Sequence, residues 1–115
     1  MGAWGTSMLE EDVAADVYAD FMERLDAGVK PEAIRTELEA NYREYLEDQD
    51  DRISFWLALA KAQLDCRALQ TDVAAKALES IQTGDALRLW QYAKPNDLAE
   101  RKSVLEEFAT LLRSG

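Results

Sequence analysis

Carboxylates are the one class of reactive side chain this chain holds in excess, with 23 Asp and Glu against 13 Lys and Arg, no histidine and one cysteine. They are densest at Glu47, Asp48, Asp50 and Asp51, where a hard cation would be sought because such ions take oxygen ligands. The spacing argues against one. A calcium loop counted from Asp48 needs glycine at its turn position and glutamate at its end, and the chain has Ile53 and Leu59 there. Pairs such as Asp16 with Asp20, or Glu106 with Glu107, have the groups for acid–base work, which also requires a concave, partly dry setting that separates their pKa values. Exposed helix faces are the expectation for both pairs. Without histidine the commonest general base and metal ligand is missing, and a single cysteine makes no cysteine-cluster zinc site within the chain. Cys66, beside Leu64, Ala68 and Leu69, reads as a small buried residue. The scattered glycines form no phosphate loop or dinucleotide fingerprint. The sequence therefore predicts no catalytic residue, no cofactor and no metal, and a protein that binds rather than catalyses.

What such a chain can do is attract. The net charge is −10, and residues 1–51 hold 15 of the 23 acids with only Arg24, Lys30, Arg35 and Arg43 to oppose them. That sign repels phosphate backbones and acidic membrane surfaces and draws basic partners over about 8 Å at physiological salt. Nucleic acid and membrane are disfavoured as ligands, and a basic protein is favoured. Tyrosines beside acids are common interface anchors, which singles out Tyr18, Tyr42 and Tyr45. The candidate partner-binding set is Asp16, Asp20, Glu23, Tyr42, Tyr45, Glu47, Asp48, Asp50 and Asp51.

The elements that must carry these residues are helices. Val13, Val17, Phe21 and Leu25 recur at i, i+4, predicting a first helix over about 10–27, closed by Gly28. Pro31 opens a second helix over about 31–47 with Ile34, Leu38 and Tyr42 inside and Arg35, Glu39 and Arg43 spaced for pairing. Asp50 or Asp51 is the candidate cap of a central helix from Arg52 to about Leu69, apolar on most sides except a narrow strip of Lys61, Asp65 and Gln63. Thr71 or Asp72 caps a fourth helix that Gly84 ends, a short segment over about 85–92 follows, and a last helix begins after Pro95. The fold class predicted is all-α: one domain over 1–115, a bundle of about five or six short helices, with residues 1–9 an irregular plug carrying Trp4 and Met8 and residues 96–115 the C-terminal helix.

At 115 residues with 48% apolar side chains the chain is long enough for one modest core. One cysteine, no secretory-signal pattern and no apolar run near the roughly 20 residues of a membrane span point to the cytoplasm. The opening Met1-Gly2-Ala3-Trp4-Gly5-Thr6 meets the bare myristoylation pattern, but Glu10, Glu11 and Asp12 stand where a second, basic membrane signal is needed.

That opening, followed by Asp12, Ala15 and Asp16, resembles a bacterial family of small proteins of unknown function that begin Met-Gly-x-Trp-Gly-Thr-Gly. A second stretch, with Phe55-Trp56-Leu57-Ala58-Leu59-Ala60, Gln63, Val73, Lys76-Ala77-Leu78, Ile81, Gly84 and Leu87 to Trp90, is similar to the family's second half. Ser7 replaces the usual glycine, and the tail beyond Pro95 matches less well. The resemblance implies no enzymatic activity and supplies no catalytic residue. Small acidic proteins of this kind also resemble immunity proteins of bacterial toxin systems, where a carboxylate surface covers the nucleic-acid site of a basic, nuclease-like toxin. The alternative is a homo-oligomeric structural or regulatory module that associates through Trp4, Trp90 and the last helix.

Overall fold

In the computed structural model, which describes residues 12–83 and 95–114, every regular element is a helix and the architecture is an all-α bundle. Helix α1 (Asp12–Asp26) buries Ala14, Val17 and Phe21, with Val13, Tyr18, Met22 and Leu25 along the flanks of that stripe. It ends in a Schellman turn: the N–H of Gly28 reaches the Leu25 carbonyl at 3.0 Å and that of Val29 reaches Arg24 at 3.0 Å. Gly28 sits at φ 93°, and nothing lies within 4 Å of the place a Cβ would take, so backbone conformation rather than space selects glycine there.

The helix expected over 31–47 is two helices. Pro31 does open α2 (Pro31–Asn41), which buries Ile34 and Leu38, but the chain leaves helical geometry at Tyr42 (φ −104°, ψ 21°) before α3 (Arg43–Glu47). Tyr42 is held from two sides, by a hydrogen bond to Asp20 and by ring contact with Phe55 at 5.9 Å, and the break falls where those contacts act. With this break the described residues form six helices, against the five or six expected for the chain, while the segment over 85–92 lies outside the described residues, as do Trp4, Met8, Gly84 and Trp90.

Helix α4 (Gln49–Asp65) is capped by Asp48, not by Asp50 or Asp51. Asp48 is extended (φ −90°, ψ 132°), and its Oδ1 accepts from the N–H of Asp50 at 2.9 Å and of Asp51 at 3.1 Å. The two expected caps are instead the second and third helical residues, the positions whose orphan N–H groups a cap satisfies. Asp48→Ala is expected to cost about 1 kcal/mol and to lower the melting temperature by about 4–6 °C, while Asp48→Asn keeps the cap and most of that stability. Thermal unfolding followed by circular dichroism checks both.

Helix α4 is the centre of the bundle, packed against α1, α3 and α5. From Ile53 to Gln63 every residue except Trp56 is buried, so the expected solvent-facing strip is corrected: Lys61 and Gln63 are 1% and 0% exposed. Packing against three helices leaves only Trp56 partly open along that stretch of α4, and Lys61 and Gln63 find side-chain partners in Asp65 and Gln70. It ends in a second Schellman turn, Arg67 N–H to Leu64 at 3.1 Å and Ala68 N–H to Gln63 at 2.8 Å, with Arg67 itself in the left-handed region at φ 60°.

Helix α5 (Thr71–Gln82) follows an N-cap at Gln70 whose side chain makes no capping bond, so Thr71 and Asp72 are its first residues rather than its caps. Helix α6 (Pro95–Ser114) lies against α5 and buries Leu105, Phe108, Ala109 and Leu112. No helix among the described residues is long and apolar enough to cross a membrane.

Candidate functional site

The acids expected to meet a partner arise on three elements. On α1, Asp16 and Asp20 are one turn apart and share a face; Asp16 and Glu23 are exposed and Asp20 is half-buried. The Tyr42 hydroxyl donates to the Asp20 carboxylate, tying α1 to the junction of α2 and α3. Burial first, then that hydrogen bond and the charges of Asp20 and Asp16, push the Tyr42 phenol well above its ordinary range, so it stays a neutral donor.

Tyr42 is only 9% exposed, which makes it a support rather than a contact surface. Tyr45, one turn of chain further on, is 44% exposed, and its ring lies 5.5 Å from that of Tyr42. Helix α3 presents it among Glu44 and Glu47, both exposed, directly before the acidic turn. In that turn Asp48 and Asp50 are exposed and Asp51 is half-buried. The Asp51 carboxyl is raised from its ordinary value by burial first and then by the charges of Asp48 and Asp50, the expected result of crowding like charges at the start of a helix.

Three of the cations, Arg24, Arg35 and Lys61, are drawn elsewhere. Arg24 pairs with Glu37 at 3.1 Å, and Lys61 pairs with Asp65 at 2.6 Å. Arg35 takes Asp72 in a two-pronged contact at 2.8 and 2.6 Å, which holds the Asp72 carboxyl below its usual range. The Arg35 Nε also lies 3.3 Å from Glu39 Oε2, a charge contact without hydrogen-bond alignment. The i, i+4 pairing expected for Arg35 and Glu39 is thus present but is the weaker of the Arg35 contacts. None of these four ion pairs draws on Glu47, Asp48 or Asp51.

Two polar clusters escaped the sequence. In one, Asp65 Oδ2 receives both the Lys61 ammonium and the Tyr18 hydroxyl at 2.6 Å, with Lys61 also 4.9 Å from the Tyr18 ring centre. Tyr18 therefore closes the far end of α4 and is no free anchor. The i, i+4 spacing of Lys61 and Asp65 was the visible signal, but nothing in it shows that the pair turns inward. In the other, Gln63 and Gln70 exchange hydrogen bonds, side chain to side chain at 2.8 Å and Gln70 N–H to Gln63 at 3.1 Å, and Arg35 adds a third at 3.2 Å. This fixes the link between α4 and α5. Cys66 is half-buried, and burial raises its thiol above the ordinary value, which keeps it from acting as a thiolate.

Among the described residues no group of three His, Cys, Asp or Glu side chains is placed to hold a metal ion. Among the described residues, carboxylates gather at the start of α4 and along α1, and the exposed Tyr45 ring lies beside the first of these groups. Compared with family models, with curated proteins and with solved structures, the chain finds no match.

Proposed function

We propose that this protein is an acidic protein-binding module, and most concretely that it neutralises a basic, nuclease-like toxin as an immunity protein does. The observation that carries this reading is Tyr45: a large ring left 44% exposed, braced by a buried tyrosine, and set among Glu44, Glu47 and Asp48. Interfaces place most of their binding energy in such anchors, and like-signed charge around one speeds encounter with a partner of opposite sign. Asp16, Asp20, Glu23, Asp50 and Asp51 extend the same negative field, and the part played by Tyr42 is to hold Tyr45 in place. The partner's cations would meet these carboxylates in the region where nucleic acid would otherwise bind it. Helix-borne residues suit this work because their positions are set before the encounter.

The test is capture of partners from lysate of the source organism on the tagged, full-length protein, at low and high salt, followed by assay of nuclease activity in what is retained. A basic nuclease held at low salt and inhibited in the complex supports the proposal. Substituting Asp48, Asp50 and Asp51 together with Asn is expected to slow association about tenfold or more, and because Asn still caps a helix the loss is separable from unfolding. Inhibition that persists undiminished in the triple variant overturns the acidic-face reading, and recovery of the bait alone favours the self-associating alternative.

A further inference from the structure

Helices α4 and α5 line a groove of about 230 Å³ in which bases outnumber acids. Gln49, Arg52, Ile53 and Trp56 face it from α4, at the i, i+3, i+4, i+7 spacing of a single helix face. Lys76, Glu79 and Ser80 face it from α5. In a chain with almost two acids for every base, two cations converge here, and among the described residues neither Arg52, Lys76 nor Glu79 forms an ion pair. The wall is the Trp56 indole, with Lys76 Nζ 5.1 Å from its centre, and the floor is Ile53 and Ser80, 7% and 9% exposed. The Ser80 hydroxyl donates to the Ala77 carbonyl at 2.8 Å, so toward the groove it has only lone pairs to offer.

We propose that this groove binds a small aromatic carboxylate, its anionic group held by Arg52 and Lys76 and its ring against Trp56 and Ile53. The size fits, since a cavity of about 150 Å³ takes benzene. The charge selects a single negative group rather than a phosphate. Arginine and lysine alone hold either kind of anion, but the helix-start N–H groups that would add to a phosphate site are not free at α4, where those of Asp50 and Asp51 are taken by Asp48. A dianion would also face Glu79 in the groove and the acidic turn beside it, whereas a carboxylate is matched by Arg52 in a two-pronged contact. The proposal stands apart from the partner-binding reading and shares only the first turn of α4 with it.

The test compares benzoate, benzamide and benzylammonium, one ring with three charges, by following the indole N–H of Trp56 and the Nε–H of Arg52 in nitrogen–proton NMR spectra of the whole protein. Benzoate is expected to shift both signals saturably with a dissociation constant of about 1 mM or tighter, and benzylammonium to leave them unmoved. Arg52→Gln is expected to weaken benzoate about tenfold with little change in melting temperature, because Arg52 is exposed. Lys76→Met, which keeps the stem on the indole, weakens it less. Equal shifts of the Trp56 indole from all three compounds, a benzoate affinity undiminished by Arg52→Gln, or no saturable shift in the unsubstituted protein by about 20 mM overturns the proposal.

Discussion

Replacing Phe55 with alanine is expected to remove about 3–5 kcal/mol of stability, a large share of the roughly 5–15 kcal/mol a domain of this size has in total. Phe55 is wholly buried in α4 and stands between the two surfaces proposed to bind. Its ring meets Tyr42 at 5.9 Å on one side and Trp56 edge-on at 5.1 Å on the other. The loss combines the transfer of the ring out of water with the cavity left behind, since helices on three sides of α4 cannot all close in. Denaturant unfolding should show a lower midpoint with little change in slope. Phe55→Leu, which keeps most of the volume, is expected to cost only about 1–1.5 kcal/mol. Equal costs for the two would mean that the ring does not fill the space the packing assigns it. Because Tyr42 leans on Phe55 and Tyr45 on Tyr42, the alanine variant should also bind a partner more weakly than its residual folded fraction explains.

The second large effect concerns an asymmetric ion pair. Lys61 has a side chain 2% exposed, and its carboxylate partner Asp65 is 32% exposed. Asp65→Ala withdraws the acceptor shared by the Lys61 ammonium and the Tyr18 hydroxyl, leaving an ammonium in the interior of the bundle without this carboxylate. A cost of about 3 kcal/mol is expected. Lys61→Met removes the charge that is expensive to bury, keeps a chain of similar length, and leaves Asp65 with both water and Tyr18, so its cost is expected to stay within about 1 kcal/mol. Burial first and then the hydrogen bond to Asp65 raise the Tyr18 phenol, which keeps it a donor to Asp65 through ordinary pH in Lys61→Met, where that carboxylate remains. Chemical unfolding of the two single variants checks the difference. Similar losses from both would show that the burial of Lys61 is not what makes the pair matter.

Much of this architecture could be read along the chain. The stripe of Val17 and Phe21, the glycine at 28 and the proline at 31 locate α1 and the start of α2 because each rests on local backbone chemistry: helical period, left-handed φ and a missing N–H. The misplaced features fail for a common reason. Nothing local distinguishes Asp48 from Asp50 or Asp51 as a cap, since all three carry a suitable side chain and only the point where the backbone turns helical decides among them. The left-handed turn at Arg67 has no glycine to announce it, and the packing of α4 against its neighbours is what holds an arginine there at a cost of about 1 kcal/mol.

The candidate surface divides in the same way. That acids crowd residues 47–51 is a matter of composition, and so is the negative field they create. Which tyrosine stands free beside them is not: Tyr18, Tyr42 and Tyr45 are alike in sequence, yet Tyr18 is spent on Asp65, Tyr42 on Asp20, and Tyr45 alone of the three is left exposed. By itself the sequence determined the helical class, the sign and place of the charge, and the absence of histidine chemistry, because these follow from residue type and from spacings of three and four. Only the tertiary structure decided that Lys61 and Gln63 turn inward and that Arg35, besides its contact with Glu39, reaches across to Asp72. It also decided that Arg52 and Lys76 face one groove. These facts depend on which helix lies against which, and residues dozens of positions apart become neighbours only when the core closes.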